Sequence, residues 1–230
     1  MEIVQREEII DYFGGHEHLT MLHISDIHLW FSTGILERLE LLIKLNDPDL
    51  VAFTGDYYDF PVGARNFRDF LIRISSGITV IFIRGNHDRF YGKKTAQLLL
   101  NIQGATCVEK ECFRYRSKSG FFYNITSWEN RVRLKRIPGE KNIILIHNPE
   151  RLNPAGFSNV DLILAGHLHG GQVIFFKTRN RRHFPGCLLY KFCGDRFQID
   201  DTTLIVSRGI GDTLPIRINC PREIVKITII

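Results

Sequence analysis

Long apolar runs are missing from this 230-residue chain. No stretch approaches the roughly 18–20 consecutive apolar residues of a membrane-spanning helix, and the first eight residues (MEIVQREE) lack the basic start and apolar centre of an export signal. Cysteine is scarce and odd in number. Cys107, Cys112, Cys187, Cys193 and Cys220 fit free thiols in a reducing compartment better than a disulfide framework, with a Cys187–Cys193 pairing left open by their spacing. A linker rich in proline, glycine or serine is also absent. With 44% hydrophobic residues the chain can build a sizeable core, and residues 1–230 are expected to form one domain. These absences together point to a cytoplasmic globular protein.

Short apolar runs, by contrast, recur along the chain: Met21 to Ser25, Leu50 to Thr54, Thr79 to Arg84, Asn142 to Ile146 and Asp161 to Ala165. Uninterrupted runs of this length suit strands buried on both faces of a sheet. Each is followed at once by residues that bind metals: Asp26-x-His28, Asp56 with Asp59, Asn86-His87-Asp88, His147, and His167-x-His169. In helix-covered sheets, ligand sites collect beyond the carboxyl ends of the strands, where all five clusters fall.

The donor types narrow the chemistry. Oxygen and imidazole without cysteine argue against a structural zinc cage or an iron–sulfur cluster, and suit a pair of Mn, Fe or Zn ions, manganese foremost. Asp26, His28, Asp56, Asn86, His147, His167 and His169 are too many ligands for one ion. Two divalent ions about 3.5–4 Å apart would use them all, would polarise a phosphoryl oxygen and would lower the pKa of a bound water. Taken singly, Asp26, Asp56 and Asn86 read equally well as turn residues. Gly55, Gly85 and Gly166 argue against mere turns, because each precedes one of these ligands and lets the backbone approach closely. His23 lies inside the first run and reads as a hydrogen-bonded core histidine, while His16 and His18 flank a Gly-Gly turn and read as solvated.

Helices are expected between the strands. Ile35, Leu36, Leu39, Leu42 and Ile43 recur at helical spacing, as do Phe67, Phe70, Leu71 and Ile74, and again Ala96, Leu98, Leu99 and Ile102. From Cys112 onward the pattern turns to strands, with Cys112–Tyr115 and Phe121–Thr126 as a hairpin, and Thr203–Ser207, Ile216–Ile218 and Glu223–Ile230 as later strands. This predicts an α/β protein in which two sheets pack on each other between helices.

Charge is unevenly spread. Residues 110–136 carry eight basic and two acidic side chains, and residues 177–196 six basic and one acidic, so the remainder of this +5 chain is acidic. Basic stretches beside an acidic metal site steer polyanions towards it. Their interleaved aromatics suit stacking on nucleobases or peripheral contact with an anionic membrane, where they are not simply solvated loops.

In order and spacing, Ser25-Asp26-Ile27-His28, Gly55-Asp56-Tyr57-Tyr58-Asp59, Gly85-Asn86-His87-Asp88, His147 and Gly166-His167-Leu168-His169 resemble the signature of the calcineurin-like metallophosphoesterases, over about residues 20–175. The resemblance implies a four-layer α-β-β-α sandwich of two mixed sheets. It implies that Asp26, His28 and His169 hold one ion, that Asn86, His147 and His167 hold the other, and that Asp56 bridges them. It places His87 as a catalytic acid or charge stabiliser, with Asp88 accepting from its second ring nitrogen and Asp59 orienting a ligand. Hydrolysis of a phosphate ester or pyrophosphate by a metal-bound hydroxide is the implied reaction. The later residues Gly166–Val173, Val206–Gly211, Pro215–Arg217 and Pro221–Ile224 are similar to the branch with membrane-associated phosphodiesterases and UDP-diacylglucosamine pyrophosphatases, which implies a lipid-linked or nucleotide-like substrate. A nuclease, or a non-catalytic binding module on the same fold, is the alternative.

Overall fold

All five apolar runs are strands, and side-chain parity along them builds the molecule. The computed structural model describes residues 2–100, 102–153, 156–212 and 216–230. Strands β2 (Leu19–Ile24), β3 (Leu50–Phe53) and β4 (Thr79–Phe82) run parallel. Alternate residues on a strand point to opposite faces. Met21, Leu50, Ala52 and Ile81 therefore enter one core, and Leu22, Ile24, Val51, Phe53, Val80 and Phe82 another. Burial on both faces is why these runs carry no polar alternation.

These strands lie in a six-stranded sheet with β1 (Val4–Ile10), β5 (Ala105–Cys107) and β14 (Glu223–Ile229), in the order β1-β14-β2-β3-β4-β5. A second sheet has the order β12 (Arg196–Ile199), β13 (Thr202–Val206), β9 (Leu162–Ala165), β8 (Glu140–Ile146), β7 (Phe122–Ser127), β6 (Phe113–Arg116). Each sheet is mixed: β14 runs antiparallel to β2, and β12 and β6 antiparallel to β13 and β7. The inner faces meet through Met21, Ala52, Ile81, Val225 and Ile227 on one side and Tyr123, Ile143, Leu145, Leu162, Leu164 and Ile205 on the other.

Helices α1 (Gly34–Asn46) and α2 (Pro61–Ser75) cover the first sheet with the expected stripes, burying Leu36, Leu39 and Ile43, and Phe67, Phe70, Leu71 and Ile74. Each fully buried side chain of this size contributes about 1.5–3 kcal/mol. Asp47 closes α1 in the left-handed region (φ 42°) just before Pro48, and Pro61 opens α2, where its missing N–H costs nothing. A short turn α3 (His87–Phe90) precedes α4 (Gly92–Gln97). The third stripe is buried as expected at Leu99 and Ile102, but α4 ends earlier, because Leu98, Leu99 and Leu100 bond three residues back and tighten the chain towards β5. The outer face of the second sheet is covered by 3-10 turns and loops that bring Trp128, Leu152, Phe157, Leu168 and Phe192 onto it.

One expected strand does not form. Ile216–Ile218 is not a strand; Ile218 exchanges single backbone hydrogen bonds with Gln172 and Ile174 near the short hairpin β10 (Ile174–Lys177) and β11 (His183–Pro185). Pro215, part of the quoted similarity, lies outside the described residues. Strand β1 had no expectation attached; its alternating Arg6 and Glu8 turn inward to a polar cluster with Asp195, Arg208 and Glu223, where Arg6 also donates to Val206 O at 2.8 Å and ties the two sheets together. All five cysteines are free thiols, and the Cys187–Cys193 bond is not formed. No helix among the described residues is long and apolar enough to cross a membrane.

Candidate metal centre

Strands β2, β3 and β4 of one sheet and β8 and β9 of the other end at the same rim of the sandwich. The chain must leave each strand end sharply, and it does so in the left-handed region at Asp26 (φ 52°), His28 (49°), Asp56 (55°), His167 (70°) and His169 (47°). Such conformations cost a non-glycine residue roughly 1–2 kcal/mol, and clusters of them mark functional sites. The turns interlock, with Asp26 N–H donating to Gly55 O (2.9 Å), His28 N–H to Asp56 O (3.1 Å) and His167 N–H to Asp26 Oδ2 (3.0 Å). The glycines are as tight as their sequence position suggested. A Cβ on Gly55 would lie 2.5 Å from Gly85 N and 2.8 Å from His147 Nδ1, and one on Gly85 or Gly166 would overlap the Asp56 or Asp26 carboxylate.

Two ligand clusters result. In the first, His28 Nε2 lies 3.2 Å from His169 Nε2, which is 3.7 Å from Asp26 Oδ1. In the second, His147 Nε2 lies 3.0 Å from Asn86 Oδ1, 3.1 Å from His167 Nδ1 and 3.1 Å from Asp56 Oδ2. Asp56 Oδ2 is also 4.0 Å from His28 Nε2, so one carboxylate oxygen faces both clusters. Asp26 and Asp56 are almost wholly buried.

The tautomers show that these donor sets suit cations. His147 Nδ1 lies 2.8 Å from Thr54 O, a pure acceptor, so that nitrogen carries the hydrogen and Nε2 turns its lone pair on Asn86 Oδ1 and Asp56 Oδ2. His28 Nδ1 likewise donates to Asp59 Oδ1 at 2.8 Å, which turns its Nε2 towards His169. Lone pairs converging on lone pairs repel unless a positive charge lies among them. The protein alone answers with a proton: burial disfavours charge on His147, yet the Asp56 and Asp26 carboxylates hold its pKa up to about 9. Burial pushes His169 down to about 4, and burial with the neighbouring His147 lowers His167. Asp56, despite its burial, is held down to about 2 by His147. Neutral imidazoles and ionised carboxylates are the forms that ligate divalent ions.

His87 differs from its expected setting. The sequence places Asp88 beside it, but Asp88 is fully buried beneath the loop, where its carboxylate accepts from the backbone N–H groups of Asp56 (2.8 Å), Tyr57 (2.8 Å) and Gly85 (2.7 Å). Burial raises its pKa to about 6. Asp59 takes the role expected of Asp88. Its Oδ1 lies 2.7 Å from His87 Nδ1 and 2.8 Å from His28 Nδ1, so one oxygen orients both a ligand and the adjacent histidine. This hydrogen bond raises the pKa of His87. Asp59 Oδ2 accepts from Trp30 Nε1 (2.7 Å), and its backbone oxygen from Tyr91 Oη. Trp30, 48% exposed, Phe31, 70% exposed, and the Phe60 ring they pack on form an aromatic rim beside His87 that sequence periodicity does not reveal. Behind His169, Arg217 Nη2 lies 3.3 Å from Nδ1 and its Nε pairs with Asp212 at 2.5 Å.

The remaining histidines behave as read: His23 is fully buried with Nε2 2.8 Å from Thr54 Oγ1, and His16 and His18 are exposed. The basic stretches are partly engaged within the fold. Arg114 pairs with Glu140 and lies 3.8 Å over Phe122, Arg131 lies 3.9 Å over Trp128, Lys177 pairs with Asp195 and Arg196 with Glu8.

Comparison with known proteins agrees with this geometry. The family model for calcineurin-like phosphoesterases matches residues 19–171. The chain is 27% identical over 236 residues to the uncharacterized metallophosphoesterase YkuE of Bacillus subtilis, spanning 94% of this chain and 80% of that protein. It is 24% identical over 231 residues to the phosphodiesterase YaeI of Escherichia coli, with 91% and 82% covered. Among solved structures, purple acid phosphatase PPD1 from yellow lupin (Lupinus luteus) seeds shares the fold with a TM-score of 0.50 at 16% identity, covering 94% of this chain and 50% of that one.

Proposed function

The chain belongs to the calcineurin-like phosphoesterase family, and from that premise we propose that it hydrolyses phosphodiester or pyrophosphate bonds with the help of two divalent ions. Asp26, His28 and His169 would hold one ion, Asn86, His147 and His167 the other, with Asp56 placed to serve both. Manganese is the first assignment, and iron and zinc fit the same donors. When bound, such a pair supplies charge neutralisation for the phosphoryl oxygens and an acidified water.

The protein's own groups do the rest. Asp59 fixes the hydrogen of His87 on Nδ1, so Nε2 is the atom that presents a proton to the leaving oxygen. Asp88 acts at a distance from the substrate, pinning the backbone of Asp56, Tyr57 and Gly85 so that the Asp56 carboxylate keeps its place.

One observation carries the reading: metal-ligating atoms from five strand ends converge at one rim, with Asp56 Oδ2 between them, 3.1 Å from His147 Nε2 and 4.0 Å from His28 Nε2. The diester preference is supported by the name of the YaeI relative. A lipid-linked or nucleotide-like substrate, and peripheral contact with an anionic membrane, are supported by the β10–β11 hairpin, where Phe175 and Phe176 are exposed close to the basic Arg179 and Arg181. The test is hydrolysis of bis(p-nitrophenyl) phosphate against p-nitrophenyl phosphate by manganese-loaded protein, with Asp56→Asn as the blank. Diester turnover lost in the blank is expected; equal turnover in protein and blank refutes the reading.

A further inference from the structure

Beyond Asn86, His147 and His167 the site opens into a cleft of about 380 Å³. Its walls carry three guanidinium groups, Arg84, Arg89 and Arg151, against two carboxylates, Glu109 and Glu129. Arg84 is locked: its backbone N–H (2.7 Å) and Nε (3.1 Å) donate to Glu109 Oε1, and its Nη2 to Oε2 (2.6 Å). The same Oε1 accepts from Arg89 Nη2 at 2.9 Å, so one partly buried carboxylate sets two guanidiniums into the wall and leaves the pair with excess positive charge.

Arg151 is placed by different means. It ends the 3-10 turn Pro149–Arg151, which follows His147 directly and is capped by Asn148, whose Oδ1 accepts from Glu150 N–H at 2.9 Å. The Glu150 carboxylate accepts from the backbone N–H groups of Lys191 (3.1 Å) and Phe192 (2.7 Å), which anchors the turn to the outer layer of the second sheet. Arg151 thus lines the same cleft as His167. Among the described residues its guanidinium has no hydrogen-bonded or ion-pair partner. Arg151 without a counter-charge, in one cleft with two arginines that share a single carboxylate, suits phosphate or carboxylate, which guanidiniums bind through paired N–H groups. His87 marks the other end of the site, packed edge-on to His28 with ring centres 4.8 Å apart.

We propose that this cleft is a second anion subsite, in which Arg151 and Arg89 hold a further phosphate or carboxylate carried by the substrate on the side of the scissile phosphorus away from His87. The proposal rests on the hydrolase reading and narrows its substrates to diesters or pyrophosphates with a second acidic group on the retained side. Arg84 and Glu109 hold Arg89 in place rather than touching the ligand.

Two measurements separate the subsite from the hydrolase reading. In the first, manganese-loaded protein is assayed for p-nitrophenol release from p-nitrophenyl ethyl phosphate and from the same diester with a phosphate at the end of the ethyl arm. The phosphorylated arm is expected to raise kcat/KM by about tenfold or more, the worth of a charge-assisted contact. Arg151→Ala with Arg89→Ala should bring the ratio of the two esters close to one. A ratio near one in the unaltered protein, or a high ratio that survives both substitutions, overturns the proposal. In the second, calorimetric titration of metal-free protein with inorganic pyrophosphate should show binding that weakens about fivefold or more in Arg151→Ala. No binding, or equal binding by protein and variant, overturns the subsite. If neither ester is cleaved while pyrophosphate binding depends on Arg151, the hydrolase reading fails and the subsite stands.

Discussion

Replacing Asp59 by Asn tests the arrangement around His87 with little change of shape. Asp59 accepts three side-chain hydrogen bonds, from His28 and His87 at Oδ1 and from Trp30 at Oδ2. An amide offers one acceptor oxygen, so its NH₂ must face either the two imidazole N–H groups or the indole N–H. The lower-energy rotamer keeps the oxygen on the histidines and sacrifices Trp30, which is half exposed and can turn to water. What is lost in either rotamer is the negative charge. A hydrogen bond to a charged group is worth about 1.5–3 kcal/mol against about 1 kcal/mol for a neutral one, and groups that orient metal ligands cost about 10–100-fold when removed. Asp59→Asn is therefore expected to lower kcat/KM for bis(p-nitrophenyl) phosphate by about 10–100-fold. Because the Asp59 hydrogen bond is the foremost cause of the raised His87 pKa, the alkaline limb of the rate profile should also move to lower pH. Trp30→Phe, which removes only the third hydrogen bond, should cost less than about fivefold, in line with about 1 kcal/mol or less. The assay is a pH series of kcat/KM with bound metal counted in each variant. Asp59→Asn protein that retains full metal and full activity with an unmoved alkaline limb would refute the assignment.

Three further outcomes follow from the geometry. His87→Ala should retain both ions, since its imidazole belongs to neither ligand cluster, and slow turnover by about 10²–10⁴; loss of bound manganese on equilibrium dialysis would contradict it. Gly85→Ala forces a methyl group onto the Asp56 carboxylate, so it should destabilise the fold by about 1–3 kcal/mol and weaken metal binding, read as a smaller rise in Tm on adding manganese. His23 supplies the acid response: burial lowers its pKa from 6.5 to about 3, so the unfolded chain takes up a proton below pH 6.5 that the folded protein refuses. Stability should thus be unaffected by His23 above that pH and fall by up to about 1.4 kcal/mol per pH unit below it. His23→Gln should flatten the urea-midpoint profile between pH 6.5 and 5, and an unchanged slope would show that other groups govern acid unfolding.

What could and could not be read from the sequence divides along physical lines. The strands that end at the site were legible because burial on both faces strips them of polar alternation, as at β3, where Leu50–Phe53 is buried throughout. Three of the candidate ligands, Asp56, Asn86 and His167, were marked by the glycine before each, and the clashes at Gly55, Gly85 and Gly166 show how little room the meeting backbones leave. Strand β1 was not, since its charged residues satisfy one another only across long sequence separations: Arg6 meets Glu223 and the Val206 carbonyl, and those partners exist only once the sheets have packed. The neighbour of His87 was misread for a simpler reason. The family resemblance implies Asp88, but His87 and Asp88 open the helical turn α3, where consecutive side chains point about 100° apart and do not face each other. His87 therefore turns to Asp59, while Asp88 turns beneath the loop to three backbone N–H groups that no sequence pattern marks. Arg151 follows the same logic. It is one more basic residue until Asn148 caps the turn and Glu150 fastens it, after which its guanidinium lines the same cleft as His167. Motifs thus disclose which atoms can touch a metal, because those positions are constrained in type; the groups that aim the ligands and meet the rest of the substrate are set by turns whose partners lie elsewhere in the chain.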